Sequence, residues 1–201
     1  MKRCIIVGAG DNSGTYFSKN DYDILIAADG GLKAIEKLGF SPDLIMGDFD
    51  SLGYAPEGDN VIRFKVEKDV TDMMIAVNKA IECGCTDITI FGGTGMRPDH
   101  TFANISTMLY ASKKGVNIRM VDKSYIYYVI TNDEITINGK QGQDLSVFAL
   151  DSQVEITIRG ALYEVENAVL KNDMTLGVSN SFLKDKANII SKGSILIIEQ
   201  K

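Results

Sequence analysis

Over the first 120 or so residues, apolar positions gather in short runs rich in Ile and Val: Ile5 to Val7, Ile24 to Ala27, Leu44 to Met46, Ile88 to Phe91 and Ile118 to Val121. The apolar residues stand at successive positions instead of alternating, as required of parallel strands covered on both faces. Between the runs the period changes to that of a helix. Leu32, Ile35 and Leu38 predict one helix from Gly31 to a stop at Gly39, with Pro42 shortly after. Met74, Val77 and Ile81 predict the buried face of a second, which Thr71 caps and Gly84 ends. Ala103, Ile105, Met108 and Leu109 predict a third, after Asp99 and before Gly115.

After Asp122 the period falls to two. Ile135-Thr136-Ile137, Leu145 to Phe148 and Val154 to Ile158 alternate apolar with polar positions, Ile195 to Ile198 adds a further strand, and Asn138-Gly139, Gly142 and Lys192-Gly193 supply turns. Such strands bury one face and solvate the other. The expected fold is therefore α/β, with a mostly parallel, Rossmann-like α/β/α domain over residues 1–122 and an antiparallel β-sandwich domain over 123–201.

Composition narrows the partners. At 201 residues with 45% hydrophobic and 24% charged residues, the chain has the balance of a globular protein with a real core. Its net charge of −6, without a cluster of Lys and Arg, disfavours nucleic acid, whose binding draws on phosphate neutralisation. Only a few apolar residues precede Gly8, too few for a signal-peptide core, and no run approaches the roughly 20 apolar residues of a membrane span. Three cysteines, an odd number, fit reduced thiols in a cytoplasmic protein. Cys83-Gly84-Cys85 lacks a second pair at zinc-ligand spacing, so no thiolate metal site is expected.

The chemistry concentrates where strands end. Ala28-Asp29-Gly30-Gly31 follows the second apolar run and Gly47-Asp48-Phe49-Asp50-Ser51 the third. Lys68-Asp69-Val70-Thr71-Asp72 opens a helix, and Gly92-Gly93-Thr94-Gly95-Met96-Arg97-Pro98-Asp99-His100 joins a strand to the next helix. In an open parallel sheet, ligands collect at the carboxyl ends of strands, so these stretches are expected to converge. Asp48 and Asp50, two apart in an extended segment, would point the same way and call for a hard cation; Mg²⁺ takes one or two carboxylates and completes its shell with water and phosphate. Asp69 and Asp72 crowd further acid at a helix start. The glycines let a backbone approach phosphate, and Arg97 offers a two-pronged grip on it. No Gly-Lys-Ser/Thr follows, which excludes the P-loop pattern. His100, the only histidine, stands beside Arg97 and Asp99.

These stretches resemble the thiamine pyrophosphokinase family in order and spacing, from Ala28-Asp29-Gly30-Gly31 through Pro42 to Ser51, Lys68 to Asp72, and Gly92 to His100 with Asn104. Gly177-Val178-Ser179-Asn180 resembles that family's Ser-Asn signature. The resemblance implies ATP and thiamine as substrates, diphosphate transfer, and homodimers whose active sites lie at the subunit interface. It implies Mg²⁺ on Asp48, Asp50 and Asp72. Asp29, Gly30, Gly31, Gly93, Thr94, Arg97, Asp99 and His100 fall in stretches tied to nucleotide and diphosphate, and Ser179, Asn180 and Phe182 fall where thiamine would be held. Met96 and Pro98 depart from the usual pattern of the phosphate loop, and the chain has no tryptophan to stack on thiamine. Asp69, Asp72 and Asp99 are the alternatives for a carboxylate that accepts the hydroxyl proton. Two rival readings are a Mg-dependent kinase of another small alcohol, which would release ADP in place of AMP, and a catalytically silent sensor of thiamine or nucleotide.

Overall fold

The computed structural model describes residues 1–49, 52–54, 56–64 and 69–201. They form two compact units, Met1–Thr107 with Val116–Lys123, and Met108–Gly115 with Ser124–Lys201.

In the first unit, the strands β1 (Arg3–Val7), β2 (Ile24–Ala28), β3 (Leu44–Gly47), β4 (Val61–Arg63), β5 (Asp87–Phe91) and β6 (Asn117–Val121) lie parallel in the order β4-β3-β2-β1-β5-β6. Both faces are covered. Ile5, Val7, Leu25 and Ala27 share a core with Leu32 and Ile35, while Ile6 and Ile26 on the opposite face are equally enclosed. Each such Ile or Leu contributes about 1.5–3 kcal/mol of burial free energy, which is why unbroken apolar runs were needed here.

Helix α1 (Gly31–Lys37) buries Leu32 and Ile35, but Leu38 is its C-cap and remains exposed. Helix α2 (Asp72–Glu82) starts as expected, with the Met74 N–H donating to the Thr71 hydroxyl at 3.2 Å. Its buried stripe is Met73, Ala76, Val77 and Ala80, turned by about one residue from the expected Met74, Val77 and Ile81. Both stripes have helical spacing, and the small Ala76 and Ala80 let the helix lie close on the sheet. Helix α3 (Pro98–Lys113) begins at a proline, whose missing N–H costs nothing in a first turn. Its buried line runs through Asn104, Thr107, Met108 and Ala111, so two polar residues stand where Ala103, Ile105 and Leu109 were expected.

The second unit holds β7 (Tyr125–Thr131), β8 (Glu134–Asn138), β9 (Asp144–Ala149), β10 (Gln153–Arg159), β11 (Val165–Lys171), β12 (Asn180–Ser181), β13 (Lys186–Lys192) and β14 (Ser194–Gln200). They pair antiparallel as β12-β9-β14-β7 and β11-β10-β13-β8. Alternate residues of both sheets, Leu145, Val147, Ile195 and Ile197 from one and Ile137, Ile156, Ile158 and Ile189 from the other, enter a single core. That is a sandwich. Period two revealed β8, β9 and β10, an apolar run revealed β14, and β7, β11 and β13 passed unseen. Tyr125 to Thr131 is almost uniformly apolar, and Val165 to Lys171 buries only Leu170 fully, so neither shows a clean alternation.

Candidate functional site

Strand order sets the place. The chain steps outward from β1 to β4, then returns to put β5 on the other side of β1, so the direction of winding reverses between β1 and β5. Such a reversal leaves a crevice beyond the carboxyl ends of the two strands. Here their loops are stitched together by backbone: Gly8 N–H donates to Phe91 O at 2.8 Å, Gly10 N–H to Gly92 O at 2.8 Å, and Asp11 N–H to Thr94 O at 2.7 Å. Glycine is required for this approach. A Cβ at Gly10 would stand 2.4 Å from Thr94 O, and one at Gly92, where φ is +62°, 2.4 Å from Gly8 O.

Above these loops lies a cleft of about 470 Å³, a volume suited to a small ligand. Its walls come from Gly8, Ala9 and Gly10 after β1, Ala28 and Asp29 after β2, Asp48 after β3, and Thr71, Asp72 and Met73 at the start of α2. Gly92, Gly93 and Thr94 after β5 and Met96, Arg97, His100 and Asn104 at the start of α3 complete them. Three acids drawn from separate loops thus face one space with a glycine turn, an arginine and the histidine.

Local geometry explains the individual placements. Asp29 takes φ +49°, its N–H donates to Met46 O at 2.7 Å, and its Oδ1 is shielded from solvent. Gly47 accommodates it, since a Cβ there would stand 3.0 Å from the Asp29 Cα. Phe49, which follows Asp48, has φ +66° and a buried ring. A left-handed conformation is costly for a bulky side chain and is kept only where the surroundings over-determine it. The backbone is therefore not extended at Phe49, while the expected alignment of Asp48 with Asp50 falls on a residue, Asp50, that lies outside the described residues.

The remaining site residues divide. Asn104 is buried and its amide donates to Gly93 O at 2.8 Å, which fixes the glycine turn on α3. The Thr94 hydroxyl donates to Asp122 Oδ2 at 3.2 Å. Asp69 is exposed, and it, Asp99, Gly30 and Gly31 are not among the cleft-lining residues. Gly31 has a structural reason to be glycine: a Cβ would sit 1.9 Å from Val7 O. Arg97 reaches Asp99 through Nε to Oδ1 at 3.2 Å and Nη2 to Oδ2 at 2.6 Å. The pair holds the Asp99 carboxyl below its ordinary range and raises Arg97 further. Sequence reading missed Gly8, Ala9 and Gly10, although a Gly-x-Gly directly after the first apolar run carried the same signal as the later loops.

In the second unit the Ser-Asn segment behaves otherwise. Ser179 is exposed at φ +61° and its N–H donates to Ser146 Oγ at 3.2 Å. Asn180 is buried, its Oδ1 accepting from Tyr163 N–H at 3.0 Å and Ser181 N–H at 2.9 Å while its Nδ2 donates to Tyr163 O at 2.9 Å. Phe182 was expected to offer a face to thiamine. It is 1% exposed and belongs to the sandwich core, so that expectation is corrected: the ring is enclosed by apolar neighbours.

The donor chemistry of the cleft suits a hard cation. Asp29, Asp48 and Asp72 offer oxygen, and no thiol lines the space. Among the described residues no three His, Cys, Asp or Glu side chains are close enough to cage a metal by themselves. A site that lends one or two carboxylates and leaves the other positions to phosphate and water matches Mg²⁺ better than a closed protein cage would. Among the described residues no helix is long and apolar enough to cross a membrane.

Comparison with known proteins gives concordant matches. A family model described as thiamin pyrophosphokinase, catalytic domain, matches residues 17–120, and another described as thiamin pyrophosphokinase, vitamin B1 binding domain, matches residues 132–196. A thiamine pyrophosphokinase of Bacillus subtilis is 27% identical over 189 residues, covering 89% of this chain and 88% of the relative. The crystal structure of thiamine pyrophosphokinase from Bacillus subtilis superposes with a TM-score of 0.86 at 25% identity, covering 100% of this chain and 99% of the other. That of thiamin pyrophosphokinase from Geobacillus thermodenitrificans gives 0.83 at 26% identity, over 99% and 97% of the two chains. The Gly8 to Gly10 loop precedes the first family match, so its place in the cleft comes from the structure.

Proposed function

The chain belongs to the thiamin pyrophosphokinase family, and from that premise we propose that it transfers the terminal diphosphate of ATP to the hydroxyl of thiamine. The observation that carries this reading is the cleft itself, in which Asp29, Asp48 and Asp72 face the glycine turn and Arg97 across one ligand-sized space. The thiamine oxygen forms a bond to the β-phosphorus as the bond from that phosphorus to the α-phosphate oxygen breaks. The products are thiamine diphosphate and AMP, and the hydroxyl proton is released.

Reactions of this kind depend on positioning and charge neutralisation more than on a strong base. The amide groups around Gly92 and Gly93, set at the approach to α3, hold phosphate oxygens. Arg97 grips a phosphate in two places. Asp48 and Asp72, with Asp50 as the expected third acid outside the described residues, would hold Mg²⁺, which would supply positive charge against the triphosphate. His100 lines the same cleft. Thiamine is held by the second unit, and the active form is a homodimer in which each subunit's cleft is completed by its partner. Work in the cytoplasm is consistent with the free thiols of Cys4, Cys83 and Cys85.

One assay tests the reading. ATP, Mg²⁺ and thiamine incubated with the chain should yield AMP and thiamine diphosphate in equal amounts. ADP with a monophosphate ester would identify a simple kinase, and heat of binding without turnover would identify a sensor.

A further inference from the structure

Arg97 lies on the cleft wall, whereas its partner Asp99 is not among the lining residues. Both guanidinium bonds run to the same carboxylate, at 3.2 and 2.6 Å, in the parallel fork geometry that fixes a guanidinium plane as well as its charge. The carboxylate belongs to the first turn of α3. The helix start carries an acid, and the acid holds the arginine.

We infer that Asp99 is a positioning residue, which by holding the Nε and Nη2 edge of Arg97 presets the other guanidinium edge, Nη1 with the second Nη2 hydrogen, toward the diphosphate being transferred, and does not take the proton from the attacking hydroxyl. The inference rests on the proposed diphosphate transfer and deepens it by removing Asp99 from the three alternatives for the base. The side chains of the pair are 64% and 63% exposed, and an ion pair so open to water contributes little to folding. Its value lies in geometry. A free arginine must lose its rotamer freedom when phosphate arrives, and one already held has lost it. A carboxylate whose oxygens are both engaged by a guanidinium is also a poor proton acceptor, since protonation breaks the fork; its lowered pKa reflects the same contact.

Four proteins test this: Asp99→Asn, Asp99→Glu, Arg97→Ala, and Arg97→Ala combined with Asp99→Asn. Asp99→Asn should weaken binding of a non-hydrolysable ATP analogue by about tenfold in calorimetry and raise the KM for ATP similarly. It should leave the melting temperature and the acid limb of the kcat profile where they are, and Asp99→Glu should recover part of the affinity. In the Arg97→Ala background, Asp99→Asn should change nothing further, because the acid acts only through the arginine. Three results overturn the inference: a fall in kcat of about a hundredfold with the acid limb gone and affinity intact, the signature of a lost base; a full additional loss in the double variant; or a lower melting temperature with normal affinity. If the unaltered chain makes no AMP from ATP and thiamine, the functional reading fails instead, and the calorimetric cycle still reports whether Asp99 works through Arg97.

Discussion

The two units treat similar polar motifs in opposite ways. In the first, Asp29 and Asp48 sit just past parallel strands, where the ladder closes with the Asp29 N–H to Met46 O bond and the backbone turns through positive φ at Asp29 and Phe49, and both residues line a cleft. In the second, Asn180 is part of β12, paired to Leu145 of β9, and its amide is spent on the backbone of Tyr163. Phe182, two residues on, fills the core. A polar residue is available to a ligand when the backbone around it has no further partners to satisfy, and the ends of a parallel sheet provide that condition where a sandwich ladder does not.

Substitutions can break this contrast. Phe182→Ala should have the largest effect, about 3–5 kcal/mol of lost stability in denaturant unfolding, because the cavity forms in a closed core. Unchanged stability would return the ring to a ligand role. Asp72→Asn should cost turnover by about 10²–10³-fold, equivalent to about 2.7–4 kcal/mol in the transition state, with the melting temperature preserved. Near-normal turnover would remove Asp72 from the machinery. Asn180→Ala should cost about 1–3 kcal/mol of stability, since the Tyr163 N–H and C=O lose their partner. A variant as stable as the parent, with impaired thiamine binding, would make Asn180 a ligand contact after all.

The smallest effect concerns pH. Burial raises Glu199 above its ordinary 4.5, opposed by the Tyr128 hydroxyl, which donates to it at 2.9 Å. The folded chain therefore holds this proton more tightly than the unfolded one. Its contribution is full below 4.5 and is lost as pH rises through the higher folded pKa. Glu199→Gln should remove that part of the pH dependence and modestly stabilise the sandwich at neutral pH, as melting curves from acid to neutral solution would record. An unaltered slope would mean that Glu199 is solvated.

Much of the site was legible because its residues follow strands that period and composition reveal. Asp29, Asp48, Asp72, Gly93, Thr94, Arg97 and His100 were all picked out on that basis, and all line the cleft. Phe182 and Gly31 show where the same reasoning stops. An aromatic beside a polar pair reads alike whether it faces a ligand or a core, and a glycine after an aspartate reads alike whether it approaches phosphate or the carbonyl of Val7.

Local order along the chain was enough to determine strand and helix periods, the change from parallel layer to sandwich, and the loops that carry acid and glycine, because these depend on neighbours within a few residues. Which stripe of α2 faces the sheet, that Gly8 to Gly10 closes on Gly92 to Thr94, and that Phe49 turns through positive φ were decided only in three dimensions. The reason is physical: a period is a property of one segment, while burial, steric room and hydrogen-bond partners are supplied by segments far away in sequence.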